Sequence, residues 1–345
     1  MRIRHVSAGS AVATLLGVVA ACNAAPPPAS TVTTDSGVAA ADGALRERDA
    51  SPPPPDDGGG PAGEDGGASG EDGGARPVCT LTSRLAPGDH FVTLVHGGET
   101  RAAIVHVPAV ADVADTSLPL VLMFHGWTSS AEDEVARTGL SVKAESAHFI
   151  VAYPRGIGGS WNAGHCCGEA MLRGIDDVGF VRALIDEIAR SVCVDRARVY
   201  AMGFSNGAMM SHRLACDAAD VIAAVVPASG VNVEDPVSCV PARPVPLLHV
   251  HGASDPLQPI LGSLVTGSGS VEDTIDAWRD RNGCSPDHET TTPVAGTTCE
   301  AYTRCEAGSE VRVCLISDLG HEWSVAPFST TDVGWDFLAR FSLPP

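Results

Sequence analysis

From about residue 78 to the C-terminus, short apolar runs of strand length alternate with longer segments that have the apolar periodicity of a helix. Strands that alternate with helices are typical of βαβ units, which place their strands parallel in one sheet. The runs predict strands at 118–124, 148–153, 198–204, 221–227, 245–250 and 310–316, and helices at 131–147, 177–192, 206–216, 271–281 and about 332–341. We therefore expect an α/β fold, with a mostly parallel sheet covered by helices on both faces.

The first 22 residues have a different pattern: a basic start, an apolar run and small residues before a cysteine. This is the pattern of a secretory signal peptide, and the run is too short for a stable membrane span. Its ending, Val19-Ala20-Ala21-Cys22, resembles a bacterial lipobox, which implies acylation of Cys22. An ordinary signal peptide cut nearby is the alternative. We expect an exported protein, either extracellular or lipid-anchored at the cell envelope, where Asn23 after the cysteine resembles sorting to the outer membrane.

Residues 23–77 consist largely of Ala, Pro, Gly, Ser, Thr, Asp and Glu. Such a segment lacks the apolar surface needed to offset its ordering entropy, so it is predicted to be a disordered tether. Residues 78–345 then form a single folded domain with enough apolar residues for one sizeable core.

The formal net charge of −20 divides into +2 for residues 1–22, −7 for residues 23–77 and −15 for residues 78–345. An acidic domain is a poor partner for nucleic acid. The charge does not identify a substrate, and it is explained as well by the solubility of an exported protein. We expect a monomer whose contact with a membrane is made through the lipid anchor alone.

The chain has eleven cysteines, which leaves ten in the domain once Cys22 is set aside. An even number of cysteines in an exported domain predicts several disulfides, whose connectivity the sequence leaves open. The spacings do not match zinc-ligand patterns, so no metal is expected. The adjacent Cys166 and Cys167 are expected to have separate partners, because a bond between neighbours is strained.

Ser205 is the candidate nucleophile. It lies in Gly203-Phe204-Ser205-Asn206-Gly207, between a predicted strand and a predicted helix. Small residues around a strand-to-helix turn are typical of a nucleophile elbow, which raises a serine hydroxyl above the sheet. The motif alone is weak, and its place between strand and helix carries the interpretation.

A serine hydroxyl needs a base, and the base needs a carboxylate that holds it in one tautomer. In this type of fold the partners follow in the order Ser, Asp, His. Asp255, just past the strand at 245–250, is the candidate acid, and His321, in the loop after the strand at 310–316, is the candidate base. His288 is the rival base and Asp318 the rival acid.

Acyl transfer also requires hydrogen-bond donors at the developing oxyanion, and fixed main-chain N–H groups serve this purpose well. Asn206, directly after the nucleophile, is expected to supply one. Trp127 is expected to supply the second, from the loop that begins at His125, because Gly126 lets the backbone approach closely. A simple strand-ending turn is the alternative for His125-Gly126.

These residues resemble the polyhydroxybutyrate depolymerase and feruloyl esterase family, of the carbohydrate esterase family one type in the α/β-hydrolase superfamily. The resemblance covers residues 118–323. It depends on six motifs in the family's order: His125-Gly-Trp, Tyr153-Pro-Arg-Gly with Ser160-Trp-Asn-Ala-Gly-His-Cys-Cys-Gly, Asp176-Asp-Val-Gly-Phe, Gly203-Phe-Ser-Asn-Gly-Ala-Met-Met-Ser, His251-Gly-Ala-Ser-Asp-Pro and Gly320-His-Glu-Trp.

The resemblance implies an α/β-hydrolase domain that cleaves esters through an acyl-enzyme without metal or cofactor, with Ser205, Asp255 and His321 matching the family's triad. It also suggests that Trp161 lines the substrate cleft, although packing beneath the loop is an equal alternative. Asp176-Asp177 is expected to cap the following helix. The family usually continues the histidine motif as His-x-Trp-Pro-Gly, whereas this chain has His321-Glu-Trp-Ser-Val, which leaves substrate preference open.

The sequence therefore predicts a secreted serine esterase that acts on a polymer-derived ester. Feruloyl or acetyl groups on polysaccharide and poly(3-hydroxybutyrate) all remain open as substrates. A serine peptidase on the same fold and a non-catalytic, polymer-binding surface lipoprotein are the alternatives from other functional classes.

Overall fold

The structure, a computed structural model, describes residue 79 and residues 81–112, 117–234, 237–263 and 268–345. The predicted signal peptide, the predicted lipidation site Cys22 and the predicted tether at 23–77 lie outside the described residues.

The described part of the chain contains one ten-stranded sheet. Its strands are β1 (Gly88–His96), β2 (Glu99–Val107), β3 (Leu118–Phe124), β4 (Ile150–Pro154), β5 (Val194–Phe204), β6 (Ala224–Ala228), β7 (Leu247–Gly252), β8 (Glu289–Thr291), β9 (Thr297–Tyr302) and β10 (Val311–Ile316). They lie in the order β1-β2-β4-β3-β5-β6-β7-β10-β9-β8. The six central strands, from β4 to β10 in that order, pair in parallel, and the pairs at both edges are antiparallel. The predicted, mostly parallel sheet is confirmed.

The edge hairpin β1-β2 was not predicted. Its strands meet at Gly97-Gly98, and both glycines have positive φ, 59° and 82°. A two-residue turn with positive φ at both positions matches the twist of a hairpin, and glycine adopts it without steric cost. The sequence therefore contained the signal for this hairpin, as two runs that mix apolar and polar residues on either side of Gly97-Gly98.

Seven α-helices connect or flank these strands in the described ranges: α1 (Ala131–Thr138), α2 (Leu140–Ala147), α3 (Gly168–Leu172), α4 (Asp177–Ala189), α5 (Asn206–Asp217), α6 (Val271–Arg281) and α7 (Thr330–Leu338). The predicted helix at 131–147 is two helices, because Gly139 adopts a left-handed conformation with φ of 64° and ends α1. Ser130 caps the start of α1 by accepting from the N–H of Asp133. No helix among the described residues has the length and apolar character needed to cross a bilayer.

Two apolar clusters lie on opposite faces of the sheet. One contains buried side chains of α4, α5 and α6, such as Phe180, Leu214 and Trp278. The other contains buried side chains of α1, α2 and α7, such as Leu140 and Phe337. A sheet buried on both faces requires strands that are apolar throughout, and β3, β4, β6 and β7 are fully buried. The prediction of helices on both faces is confirmed.

The ten cysteines of the domain form five disulfides: Cys79–Cys193, Cys166–Cys167, Cys216–Cys239, Cys284–Cys305 and Cys299–Cys314. The expectation of a disulfide-bonded domain is confirmed. The expectation that Cys166 and Cys167 have separate partners is wrong. The two residues are bonded to each other, the peptide bond between them is cis, and their Cα atoms lie 3.2 Å apart.

Candidate active site

Ser205 lies at the sharp turn between β5 and α5, and its backbone has φ of 56° and ψ of −118°. A positive φ is rare for a residue with a side chain, and such conformations concentrate at functional sites. The flanking glycines are required by space: a Cβ at Gly203 would collide with the carbonyl of Gly207, and a Cβ at Gly207 would collide with the carbonyl of Phe124. The turn therefore matches the predicted nucleophile elbow.

His321 lies in the loop after β10, on the side of the sheet where Ser205 stands. Its Nε2 is 2.9 Å from the hydroxyl oxygen of Ser205, and its Nδ1 is 2.7 Å from Oδ2 of Asp255. The structure thus brings the three predicted residues into one hydrogen-bonded chain. The rivals lie elsewhere: His288 is exposed and packs against Tyr302, and Asp318 is exposed in the loop before His321.

Asp255 is 4% exposed and follows β7. Its Oδ1 accepts from the main-chain N–H groups of Leu257 and Gln258, both at 2.8 Å, while Oδ2 faces His321. Burial tends to raise the pKa of this carboxyl, but the hydrogen bonds from His321, Gln258 and Leu257 outweigh burial and leave the pKa lowered. The carboxylate is therefore ionised at neutral pH and can hold the imidazole in one tautomer.

Three histidines form a buried row beneath Asp255. Nε2 of His251 donates to the carbonyl of Gln258 at 2.7 Å, so its Nδ1 accepts from Nε2 of His249 at 2.9 Å. The ring of His212 stacks on that of His249. Burial lowers the pKa of all three histidines, and that of His212 to about 3. The row is therefore neutral at neutral pH, and it adds no positive charge beside the Asp255 carboxylate.

The two predicted oxyanion donors are the main-chain N–H groups of Asn206 and Trp127. Asn206 is the first residue of α5, where the N–H groups of a helix have no intrahelical acceptor. The loop of Trp127 approaches from the other side, since a Cβ placed on Gly126 would lie 3.4 Å from Cβ of Ser205. A turn holds this loop, because Ser129 donates to the carbonyl of Gly126 at 3.2 Å. The structure thus places Asn206 and Gly126, the residue before Trp127, next to Ser205.

Trp161 does not line a cleft. Its side chain is 0% exposed, and its indole N–H donates to the carbonyl of His125 at 2.9 Å. The expectation of a substrate contact is corrected by this placement, because a fully enclosed ring has no surface for a ligand. The alternative of packing beneath the loop describes its position.

The side chain of His125 has a structural role that the sequence did not predict. Its Nδ1 donates to the carbonyl of Gly126 at 2.8 Å, and its Nε2 accepts from the N–H of Gly156 at 2.9 Å. Burial, more than any other effect, lowers the pKa of His125, so the ring is neutral and can act as donor and acceptor together. It joins the loop after β3 to the loop after β4.

A buried ion pair supports the same region. Arg101 donates to Oδ1 of Asp177 at 2.6 Å, and Oδ2 of Asp177 accepts from the N–H of Asn162 at 2.8 Å. The predicted cap of α4 is Asp176 alone, which accepts from the N–H of Gly179 at 2.8 Å. Asp177 instead holds the segment that follows Trp161.

One group of three potential metal ligands occurs among the described residues, formed by Cys216, Glu234 and Cys239. The two cysteines are joined in a disulfide and offer no thiolate. In this oxidised form the group presents Glu234 alone, which is too few ligands for a structural metal site.

The family model "Esterase PHB depolymerase" matches residues 102–265, which include Ser205 and Asp255. Feruloyl esterase B of Piromyces equi is 34% identical over 259 residues, which cover 71% of this chain and 46% of that protein. NocK of Nocardia uniformis subsp. tsuyamanensis, named as a candidate esterase, is 30% identical over 278 residues, which cover 71% of this chain and 81% of that protein.

A bifunctional acetylxylan esterase/xylanase of Neocallimastix patriciarum is 29% identical over 69% of this chain and 33% of its own length. The match thus spans less than half of the feruloyl esterase and a third of the bifunctional enzyme. Among solved structures, an acetyl xylan esterase from Aspergillus awamori superposes with a TM-score of 0.54 at 16% identity, covering 72% of this chain and 99% of that one. This likeness shows the fold alone, which is the α/β-hydrolase fold. The matches to the family model and to NocK show that the chain belongs to the esterase PHB depolymerase family.

Proposed function

We propose that this chain is an exported serine carboxylic-ester hydrolase that acts through an acyl-enzyme. The observation that carries the proposal is the position of His321, whose two ring nitrogens lie 2.9 Å from the hydroxyl of Ser205 and 2.7 Å from the carboxylate of Asp255. Nucleophile, base and orienting acid at these distances form the arrangement that activates a serine hydroxyl.

In the first half of the reaction, Oγ of Ser205 attacks the ester carbonyl while Nε2 of His321 takes the hydroxyl proton. The negative charge that develops on the carbonyl oxygen is stabilised by the N–H groups of Asn206 and Trp127. The tetrahedral intermediate then collapses: the bond to the alcohol oxygen breaks, and His321 gives its proton to that oxygen. The acyl group remains on Ser205.

In the second half, water takes the place of the alcohol. His321 accepts a proton from the water as its oxygen attacks the acyl carbonyl, and the same N–H groups hold the new oxyanion. Collapse breaks the bond to Oγ of Ser205 and returns the proton to it. The products are a carboxylic acid and the regenerated serine, and the cycle needs no cofactor.

The proposed substrate is an ester carried on or derived from a polymer. Support comes from the relatives, which are named as a feruloyl esterase and an acetylxylan esterase, and from the polyester in the name of the family. Poly(3-hydroxybutyrate), feruloyl polysaccharide and acetyl polysaccharide are the three candidates, and each presents a neutral ester that this mechanism can cleave.

Export and attachment to the cell envelope are part of the proposal. Five disulfides support an oxidising compartment. The lipobox-like Val19-Ala20-Ala21-Cys22 supports lipidation of Cys22, with residues 23–77 as a tether. Radiolabelled palmitate should label the full chain expressed in a bacterial host, and the Cys22→Ala variant should take up no label. Equal labelling of the two proteins would show that the anchor is not at Cys22.

The experiment that tests the activity measures hydrolysis of methyl ferulate, acetylated xylan, 3-hydroxybutyrate oligomers and p-nitrophenyl butyrate, with Ser205→Ala as the matched control. We expect one natural ester to be turned over well and the variant to lose roughly 10⁶-fold in kcat, as in other serine hydrolases. A variant that keeps most of its activity would exclude Ser205 as nucleophile. Cleavage of peptide anilides without ester cleavage would favour a peptidase. A folded protein that cleaves nothing and does not react with an organophosphonate would be a binding protein.

A further inference from the structure

We propose that Trp161 is a positioning residue that sets the distance between the two oxyanion donors. The inference rests on the proposed function, because it concerns how the same active site is held. The donors belong to different segments of the chain: Trp127 to the loop after β3, and Asn206 to the start of α5. Trp161 makes a hydrogen bond to each of these segments.

The first link runs to the loop after β3. The indole N–H of Trp161 donates to the carbonyl of His125 at 2.9 Å, two residues before Trp127. The same indole ring packs edge-on against Phe124, with ring centroids 5.1 Å apart, and lies 4.9 Å from the ring of His125. An enclosed indole whose N–H is bonded to a carbonyl fixes both the direction and the depth of this loop.

The second link runs to the nucleophile elbow. The main-chain N–H of Trp161 donates to Oδ1 of Asn206 at 2.7 Å, and Nδ2 of Asn206 donates back to the carbonyl of Trp161 at 3.3 Å. Asn206 is 1% exposed, so water does not compete for these bonds. The paired bonds hold the residue whose main-chain N–H is the other proposed donor.

Trp161 is itself anchored from below. The N–H of the next residue, Asn162, donates to the buried carboxylate of Asp177 at 2.8 Å, and Asp177 is paired with Arg101 at 2.6 Å. The side-chain amide of Asn162 donates to the carbonyl of Ile175 at 2.8 Å. The segment of Trp161 and Asn162 is therefore fixed to the core, and it can hold the loop after β3 and the nucleophile elbow in constant positions.

The role follows from the geometry that oxyanion stabilisation requires. Both N–H groups must point at one oxygen atom, and donors fixed before the reaction stabilise its charge without reorganising. A displacement of either segment by a fraction of an ångström weakens the hydrogen bond from its N–H group to the oxyanion of the transition state. It has a smaller effect on the binding of the ground-state ester. Because Trp161 is fully buried, it contributes to the rate without touching the substrate.

The test is the Trp161→Phe variant, which keeps an aromatic ring against Phe124 and removes the indole N–H. Tyr200→Phe is the matched control. Tyr200 is also 0% exposed, and its hydroxyl donates to the main-chain carbonyl of Phe341 at 2.7 Å. Tyr200 lies on β5 and belongs to the apolar cluster on the opposite face of the sheet from Trp161. Both variants lose one side-chain hydrogen bond to a main-chain carbonyl, so both should unfold at a lower temperature than the wild type.

The measurements are kcat and KM for p-nitrophenyl butyrate, the affinity for a trifluoromethyl ketone that forms an oxyanion on Ser205, and the rate of reaction with a fluorophosphonate. For Trp161→Phe we expect kcat to fall roughly 10- to 100-fold with KM nearly unchanged, and the ketone to bind more weakly by a similar factor. Tyr200→Phe should keep the kcat, KM and ketone affinity of the wild type.

A Trp161→Phe variant with the kcat of the wild type, or one whose KM rises while kcat is kept, would overturn the inference. If this variant does not fold, Asn206→Ala tests the second link, since it keeps the main-chain donor and removes the side-chain bonds to Trp161 and to the carbonyl of Cys166; a kcat equal to that of the wild type would overturn the inference. A failure of the proposed function is a separate result: the wild type itself would then neither cleave the ester nor react with the fluorophosphonate.

Discussion

Asp255 accepts a hydrogen bond from Nδ1 of His321 at 2.7 Å, and it uses only one carboxylate oxygen to do so. The other oxygen accepts from the main-chain N–H groups of Leu257 and Gln258. The carboxylate cannot turn without breaking these two bonds. The protein therefore fixes which oxygen faces His321, and through it the tautomer of the ring.

This division of the two oxygens predicts the effect of Asp255→Asn. The amide oxygen of the new side chain should stay with the two main-chain N–H groups, so the NH₂ group faces Nδ1 of His321. A donor there forces the proton onto Nε2, where the base must accept from Ser205. We expect kcat to fall by about 10⁴-fold, the loss that the same change causes in serine proteases, with folding preserved. Steady-state kinetics and the circular dichroism spectrum check both parts.

The matched control for that variant is Asp318→Asn, because Asp318 lies three residues before His321 and is exposed. It should keep the kcat of the wild type. If Asp318→Asn were the inactive variant and Asp255→Asn kept its activity, the orienting acid would be the rival carboxylate, and the observed bond to His321 would be structural only.

A second prediction concerns the ion pair beneath Trp161. The side chains of Arg101 and Asp177 are 1% and 0% exposed, so Asp177→Asn leaves a buried cation without its counter-ion. Removing one member of a buried pair typically costs about 3–5 kcal/mol in the free energy of unfolding. Urea unfolding at neutral pH measures this loss.

The neighbouring Asp176→Asn is the control for that loss. Asp176 caps α4, a role that asparagine fills equally well, and its own partner His96 lies at the surface. We expect a change below about 1 kcal/mol. If the two substitutions changed the free energy of unfolding equally, the Arg101–Asp177 pair would contribute no more to the stability of the domain than the exposed Asp176 does.

A third prediction concerns Glu134, a carboxyl on α1 with 0% exposure. Burial raises its pKa from 4.5 to about 7, and the nearby Arg137 offsets only part of this effect. Between these two pH values the folded state holds a proton that the unfolded state has released. The contribution of Glu134 to stability therefore falls as the pH rises through this window, and this contribution is lowest above pH 7.

Glu134→Gln removes this ionisation, so the variant should gain about 2–3 kcal/mol relative to the wild type at pH 8 and little at pH 4.5. Glu234, whose pKa burial also raises to about 7, keeps part of the slope in the variant. Urea midpoints at the two pH values give the measurement, with the exposed Glu132→Gln as control. Parallel pH profiles for wild type and Glu134→Gln would contradict the assignment.

The parts of the fold that follow from local pattern were predictable from the sequence. The buried run of β3 is apolar at every position, and the predicted helix at 206–216 becomes α5 with its end shifted by one residue. The order of Ser205, Asp255 and His321 was also predictable, because each follows a strand and the carboxyl ends of parallel strands share one edge.

Other features depend on contacts that no local pattern encodes. The burial of Trp161 follows from its neighbours His125 and Asn206, which are distant in the chain. The bond between Cys166 and Cys167 joins neighbours in the chain, a pairing that the pattern of cysteines does not reveal. Local conformation alone can place a residue on the right loop, but tertiary packing decides whether it faces a substrate or the core.

The last prediction separates stability from catalysis with the Cys79–Cys193 disulfide. Cys193 immediately precedes β5 and Ser205 immediately follows it, so the two residues lie at opposite ends of this strand. The bond constrains the unfolded chain, and replacing both cysteines by alanine should lower the free energy of unfolding by about 2–4 kcal/mol. Because the change lies at the opposite end of the strand, kcat and KM of the folded variant should match those of the wild type. A variant that stays folded at the assay temperature but loses tenfold or more in kcat would show that the amino end of β5 is coupled to the elbow.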